Sequence, residues 1–271
     1  MFSCRFTAAL VSAAAVAALG CKAKEAPQAS LLRVTTSDFA FDTPDQVQGG
    51  LTTIRLVNKG PGLHHIQLVK LDSGKTLPEF LDAMKGPPPA WATLVGGPNA
   101  AAPGDSTTAI VSLVPGTYAM ICLIPGTDGM PHFAKGMARM INVTGPALAT
   151  PDPTADNTLK LVEYGFQFSS PLTAGHHLIR VENAGQQWHE IVLVKLDPGK
   201  TGMDFATWAD KQDGAPPGQI HGGITGILPG AHAFIETDVS AGDYALMCFF
   251  PDMKDGKPHL AHGMITEIKV S

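Results

Sequence analysis

The chain has 271 residues, of which 44% are hydrophobic and 16% charged, a composition that can bury a core and excludes a disordered chain. Its 29 glycines and 22 prolines are typical of many short strands joined by turns and not of a helical protein. The formal net charge of -5, without a cluster of basic residues, argues against a nucleic-acid partner.

The N-terminus has the pattern of an export signal. Arg5 precedes an apolar run from Phe6 to Gly20, which is short for a membrane span and ends in AALGC before the polar stretch KAKEAPQAS. This resembles the lipobox of bacterial lipoproteins, in which the cysteine becomes the lipidated first residue. We predict a signal peptide over 1–20, lipidation at Cys21, a tether over 21–30, and an exported protein, periplasmic or at the cell surface, anchored to a membrane. A simple cleaved signal is the alternative.

The rest of the chain contains two copies of one unit. FAFDTP, from Phe39, returns as FQFSSP, from Phe166, and IRLVNKGPGLHH returns as IRVENAGQQWHE. The offset is 125 residues at His64 and His189 and 126 at the cysteines of the two copies. Such drift is expected of loops in a duplicated domain. We predict one domain over 31–144, a proline-containing linker over 145–158, and a second domain over 159–271.

Within each copy, alternating aliphatic and β-branched residues between Gly- and Pro-containing turns predict short strands. One helix interrupts each copy, since Thr76 with Glu79 forms a capping box and Thr201 with Asp204 stands at the equivalent place. About 115 residues of short strands at this spacing predict an all-β fold of two tandem β-sandwiches, each with one short helix.

Soft ligands recur near the end of each copy. YAMICLIPGTDGMPHFAKGM and YALMCFFPDMKDGKPHLAHGM each hold a Cys, then a His, then a Met five positions later, and a further His stands upstream at the matching position of each copy, His64 and His189. A site of two His and one Cys with a weak axial Met is typical of electron-transfer copper. The alternatives without a metal are purely structural. The cysteines would be buried thiols or form a Cys122–Cys248 disulfide, and the methionines would fill the core.

Each copy resembles a cupredoxin, the small β-sandwich of blue copper proteins. The segments NKGPGLHH and NAGQQWHE resemble the family's first-histidine turn, and CLIPG with HFAKGM resembles its azurin-like ligand loop with five residues inserted. The resemblance implies Greek-key sandwiches and one copper site per domain. The implied ligands are His64, Cys122, His132 and Met137 in the first domain, and His189, Cys248, His259 and Met264 in the second.

His65 is an alternative to His64, but adjacent strand residues face opposite sides, and the repeat pairs His65 with Glu190. In the family the loop histidine reaches the surface, which would make His132 and His259 the ports to a redox partner protein.

These features predict an electron carrier with a type-1-like copper site in each domain, built from two histidines, one cysteine and one methionine. A copper-sequestering or delivery lipoprotein and a metal-free binding or structural module are the alternatives. We expect no enzyme, because two-domain cupredoxin enzymes use His-x-His pairs for their additional coppers and this chain has none.

Overall fold

The computed structural model describes residues 29–86 and 88–271. The predicted signal peptide, the lipidation site Cys21 and most of the tether lie outside the described residues. Among the residues that are described, no helix is both long enough and apolar enough to cross a membrane.

The first half of the chain forms two layers of strands around a buried core. Its elements are β1 (Ser30–Ser37), β2 (Ala40–Asp42), β3 (Gln46–Asn58), β4 (Gln67–Leu71), α1 (Leu77–Ala83), β5 (Ala92–Gly96), β6 (Ser106–Leu113), β7 (Gly116–Ile121) and β8 (Ala138–Leu148). One layer pairs β2, β1, β3 and β6, and the other pairs β8, β7, β4 and β5. The start of β3 also pairs with β8, which ties the two layers together.

The second half repeats this layout. Its elements are β9 (Asn157–Val162), β10 (Gly165–Phe168), β11 (Gly175–Asn183), β12 (His189–Leu196), α2 (Gly202–Lys211), β13 (Gly218–Ile227), β14 (His232–Val239), β15 (Gly242–Met247) and β16 (Ile265–Val270). One layer pairs β10, β9, β11 and β14, and the other pairs β13, β12, β15 and β16. The predicted all-β fold class is confirmed.

The two halves join edge to edge about a local twofold axis. Strand β6 pairs with β14 at Ala109 and Ile235, and an isolated bridge joins Pro98 to Ile224. Both pairs are separated by the repeat offset of 126 residues, so each half presents the same surface to the other. Side chains also cross this junction, since the Thr225 hydroxyl donates to the carbonyl of the first half's Ile66 at 2.9 Å.

Both short helices begin as the sequence predicts. The Thr76 hydroxyl accepts the Glu79 N–H while the Glu79 carboxylate accepts the Thr76 N–H, and Thr201 with Asp204 forms the same capping box. Between the halves, β8 runs to Leu148 and β9 starts at Asn157, so both strands enter the segment predicted to be a linker. The domain boundaries themselves stay predictions.

Candidate metal centres

Each half brings two imidazoles and one thiol together in its core. In the first half, His64, Cys122 and His132 are buried and offer ligand atoms within 4.8 Å of one another. The Cys122 Sγ lies 3.6 Å from the His132 Nδ1. We call this group centre 1.

In the second half, His189, Cys248 and His259 form the equivalent group, centre 2. The Cys248 Sγ lies 3.4 Å from the His259 Nδ1, and the Nδ1 atoms of the two histidines are 3.1 Å apart.

Hydrogen bonds of the backbone fold the long Cys-to-His loop back onto its own start. The Cys122 N–H donates to the Met137 carbonyl at 3.2 Å, and the Met137 N–H donates to the His132 carbonyl at 3.0 Å. A bridge between Pro125 and Pro131 closes the inserted residues into a hairpin. The extra loop length therefore does not prevent the histidine from returning to the cysteine. Centre 2 repeats these three contacts.

The first histidine of each centre is positioned by the turn before it. Asn58, the last residue of β3, donates from its amide to the Gly62 carbonyl at 2.7 Å and accepts the Gly60 N–H at 2.8 Å. A Cβ added at Gly60 would lie 2.6 Å from the His64 Nε2, so only glycine allows the ring to pack against this turn. Asn183 and Gly185 do the same for His189.

The imidazoles are buried with unused ring nitrogens. Both ring nitrogens of His64 and the Nε2 atoms of His189 and His259 are buried and have no hydrogen-bond partner within the described part of the chain. Burial lowers the pKa of His132 and of His189 to about 4 and also lowers the pKa of His64 and His259. The rings are therefore neutral at pH 7, with lone pairs available to a metal, and buried polar atoms without partners are costly unless something binds them.

The thiols need a cation to ionise. Burial raises the pKa of Cys122 to about 12, against the lowering effect of the His65 and Ile124 backbone N–H groups. Burial, together with the nearby Glu190 carboxylate, raises the pKa of Cys248 as well. A soft cation at each centre would stabilise the thiolate and satisfy the unpaired imidazole nitrogens at once.

The structure gives His64 and His65 different places in the site. His64 belongs to centre 1, whereas the His65 Nε2 accepts the Leu123 N–H at 2.7 Å. Burial lowers the pKa of His65 to about 3, against the raising effect of its hydrogen bond with the Asn99 side chain. The backbone N–H of His65 donates to the Cys122 Sγ at 3.5 Å. His65 therefore contacts the thiol of centre 1 through its backbone and not through its imidazole.

Both candidate methionines lie in the core of their half. Met137 and Met264 are fully buried, and their backbone groups hold the base of each ligand loop. Their role as axial ligands stays a prediction.

Cys122 and Cys248 are both free and buried in separate halves, so the disulfide alternative does not hold.

An aromatic residue that the sequence reasoning missed covers each loop histidine. The Phe39 ring lies 5.1 Å from the His132 ring and the Tyr164 ring 5.8 Å from the His259 ring, as measured between centroids. Both aromatic residues have positive φ, 58° and 60°, which is strained for bulky side chains and is often kept at functional sites. The expectation that the loop histidines reach the surface is wrong, since His132 is 4% exposed and His259 is fully buried.

The register of the repeat explains why these residues were missed. Matching FAFDTP to FQFSSP pairs Phe39 with Phe166, but the β1–β2 and β9–β10 hairpins pair it with Tyr164. In the correct register, the residue before each aromatic is acidic. Asp38 lies 3.5 Å from the His64 Nε2, and Glu163 lies 3.7 Å from the Nε2 of the equivalent histidine in centre 2.

Centre 2 has one more acidic neighbour than centre 1. The buried Asp252 carboxylate lies 3.8 Å from the His259 Nε2 and accepts the Tyr164 hydroxyl at 2.6 Å. This hydrogen bond and one from Gln187 lower the pKa of Asp252, so the carboxylate is ionised at pH 7. Centre 2 is therefore the more negative of the two.

Comparisons with known proteins gave matches only among solved structures. No protein-family model and no curated protein matches the chain. Reduced auracyanin from Roseiflexus castenholzii is 22% identical, with 44% of this chain and 100% of that chain covered and a TM-score of 0.32. Blue copper oxidase from Nitrosomonas europaea is 16% identical, with 90% and 86% covered and a TM-score of 0.27. A copper-containing nitrite reductase from Thermus scotoductus is 14% identical, with 89% and 61% covered and a TM-score of 0.24.

These comparisons correct one expectation. We expected no enzyme because the chain has no His-x-His pair, but several neighbours match about nine-tenths of the chain, and the two described above are an oxidase and a nitrite reductase. The exclusion of enzymes is therefore wrong. Likenesses at this level of identity and TM-score do not assign an activity to this chain.

Proposed function

We propose that the chain binds copper at centres 1 and 2 and uses both centres for electron transfer. The observation that carries this proposal is the convergence, in each half, of a buried thiol and two neutral imidazoles, at least one of which has a buried ring nitrogen without a hydrogen-bond partner among the described residues. Thiolate with imidazole is a donor set that suits copper. Bound copper would supply a one-electron couple.

The residues that would hold copper at centre 1 are His64, Cys122, His132 and Met137. For centre 2 they are His189, Cys248, His259 and Met264. The protein holds these groups through the backbone bonds of the ligand loop and the asparagine-centred turn, so little has to move when the charge of the centre changes. The His65 and Glu190 N–H groups, each 3.5 Å from a cysteine Sγ, would stabilise the thiolates.

Electron exchange with a redox partner protein would pass through the covering rings, because Phe39 and Tyr164 lie against the loop histidines.

We also propose that the chain is exported and that lipidation of Cys21 anchors it to a membrane. Mass spectrometry of the membrane-bound protein should find an acylated Cys21 at its N-terminus, and Cys21→Ser should release the protein from the membrane. Recovery of the Ser variant with the membrane would contradict the anchor.

Titration of metal-free protein with Cu(II) under anaerobic conditions tests the copper centres. We expect an intense thiolate-to-copper absorption that saturates at two equivalents, falls by about half in Cys122→Ala or Cys248→Ala, and disappears in the double variant. His232→Ala, which removes a half-exposed imidazole outside both centres, should leave the absorption unchanged.

Other outcomes would favour other functions. Tight Cu(I) binding without this absorption would favour copper sequestration or delivery. Absence of stoichiometric copper binding would leave a metal-free module and contradict the proposal.

A further inference from the structure

A cavity of about 450 Å³ lies at the junction of the two halves, within the range of small-molecule sites. We call it the junction cavity. It is lined by equivalent residues of the two halves, among them Leu63 with Trp188 and Phe80 with Phe205, so it lies on the local twofold axis. Neither centre uses this space, because its lining contains none of the proposed ligands.

The wall of the junction cavity is mainly apolar and includes five aromatic side chains. Phe80, Trp188, Phe205, Phe249 and Phe250 all line it, and the rings of Trp188 and Phe250 meet edge to face at 5.8 Å. Aromatic walls favour a flat aromatic ligand, which can stack on one ring and meet the edge of another. Among the described residues, the lining contains no Lys or Arg and holds the carboxylates of Glu190 and Asp210, so it disfavours an anion.

One polar side chain in the wall has acceptor capacity left. The buried Glu190 carboxyl accepts the Phe249 N–H at 3.1 Å on one oxygen and the Asn99 amide at 3.3 Å on the other. Two carboxylate oxygens offer about four acceptor positions, so about two remain. A ligand hydroxyl can donate to one of them, whereas an ether oxygen at the same place cannot.

We propose that the junction cavity binds a neutral aromatic alcohol of the phenol class, with its hydroxyl donating to Glu190 and its ring against the aromatic wall. The ligand would be connected to each centre through one intervening residue. The Glu190 N–H bonds to the Cys248 Sγ, and His65, which also lines the cavity, bonds to the Cys122 Sγ in the same way. Binding does not require copper, so the proposal stands or falls separately from the copper function.

The test uses metal-free full-length protein at pH 8 and measures dissociation constants by ligand-observed NMR. The probes are 2-naphthol, its ether 2-methoxynaphthalene, and the anion 2-naphthoate. We expect 2-naphthol to bind at least about tenfold more tightly than the ether, because only the naphthol donates to the carboxylate, and we expect no binding of 2-naphthoate. Equal binding of the alcohol and the ether, or no binding of either, would overturn the proposal.

Two variants locate the site. Ala209→Trp places a large ring in the cavity and should abolish binding of 2-naphthol, whereas Val114→Trp adds the same ring at a position that is 48% exposed and outside the cavity, and should not. Glu190→Leu should make the alcohol and the ether bind equally. Thermal unfolding checks that each variant is folded, and the comparison of probes on the unmodified protein decides the proposal without any variant. Binding to Ala209→Trp as tight as to the unmodified protein would place the ligand elsewhere and refute the site.

Discussion

Replacing Glu190 by Gln should change how the stability of the metal-free protein depends on pH. Burial raises the pKa of this carboxyl from its ordinary value of 4.5 to about 7, against the lowering effects of the Phe249 N–H and the Asn99 amide. Because one pKa unit corresponds to about 1.4 kcal/mol, this difference costs the folded state about 3 kcal/mol once the group is ionised. Glu190 is an acid whose pKa is raised in the folded state. The free energy of unfolding is therefore undiminished below pH 4.5 and falls as the pH rises through about 7.

Urea unfolding followed by tryptophan fluorescence measures this effect at several pH values between 4.5 and 8. The free energy of unfolding of the unmodified protein, minus that of Glu190→Gln, should fall by about 3 kcal/mol across this range. The amide also changes two hydrogen bonds, but that offset does not depend on pH, and the other titrating groups cancel in the difference.

Glu79→Gln is the matched control. The pKa of this exposed carboxylate is lowered from its ordinary value of 4.5 by its hydrogen bonds with Thr76, so its stabilising effect is lost only as the pH falls below that value, and its difference curve should stay nearly constant between pH 4.5 and 8. A difference for Glu190→Gln that stays constant with pH would refute the reasoning, since the carboxyl would then be solvated or fully paired in the folded protein.

Three further predictions concern the backbone, the aromatic cover and the second centre. Gly223→Ala puts a Cβ 1.9 Å from a carbonyl oxygen of β12 and should lower the free energy of unfolding by more than about 3 kcal/mol. Gly230→Ala, with open space around its Cβ, should lower it by about 1 kcal/mol, and urea unfolding measures both values. Tyr164→Ala should speed the modification of His259 by diethylpyrocarbonate in metal-free protein, as read by mass spectrometry, and an unchanged rate would show that the ring is not a cover. Asp252→Asn removes a negative charge 3.8 Å from an imidazole of centre 2 and should raise the reduction potential of copper there, so a fall in the potential measured by redox titration would contradict the electrostatic assignment.

Local patterns in the sequence predicted the fold class, the capped helices and the groups of side chains that meet. Strand alternation and capping boxes depend on neighbours within a few residues, so they are readable without coordinates. The duplication added the choice of His64 over His65, because one copy has Glu190 at the matching position. The structure brings the predicted His, Cys and His together in both halves, while their metal-binding role stays a prediction.

Only the tertiary structure decided what surrounds those groups. Which strand edges meet depends on pairing between residues more than a hundred positions apart, so the junction of β6 with β14 and the cavity on its axis have no local signal. The covers over His132 and His259 were hidden for a related reason. A hairpin shifted by two residues keeps every side chain on the same face, so the aromatic pattern fits both registers, and only the pairing of the strands shows that Phe39 corresponds to Tyr164.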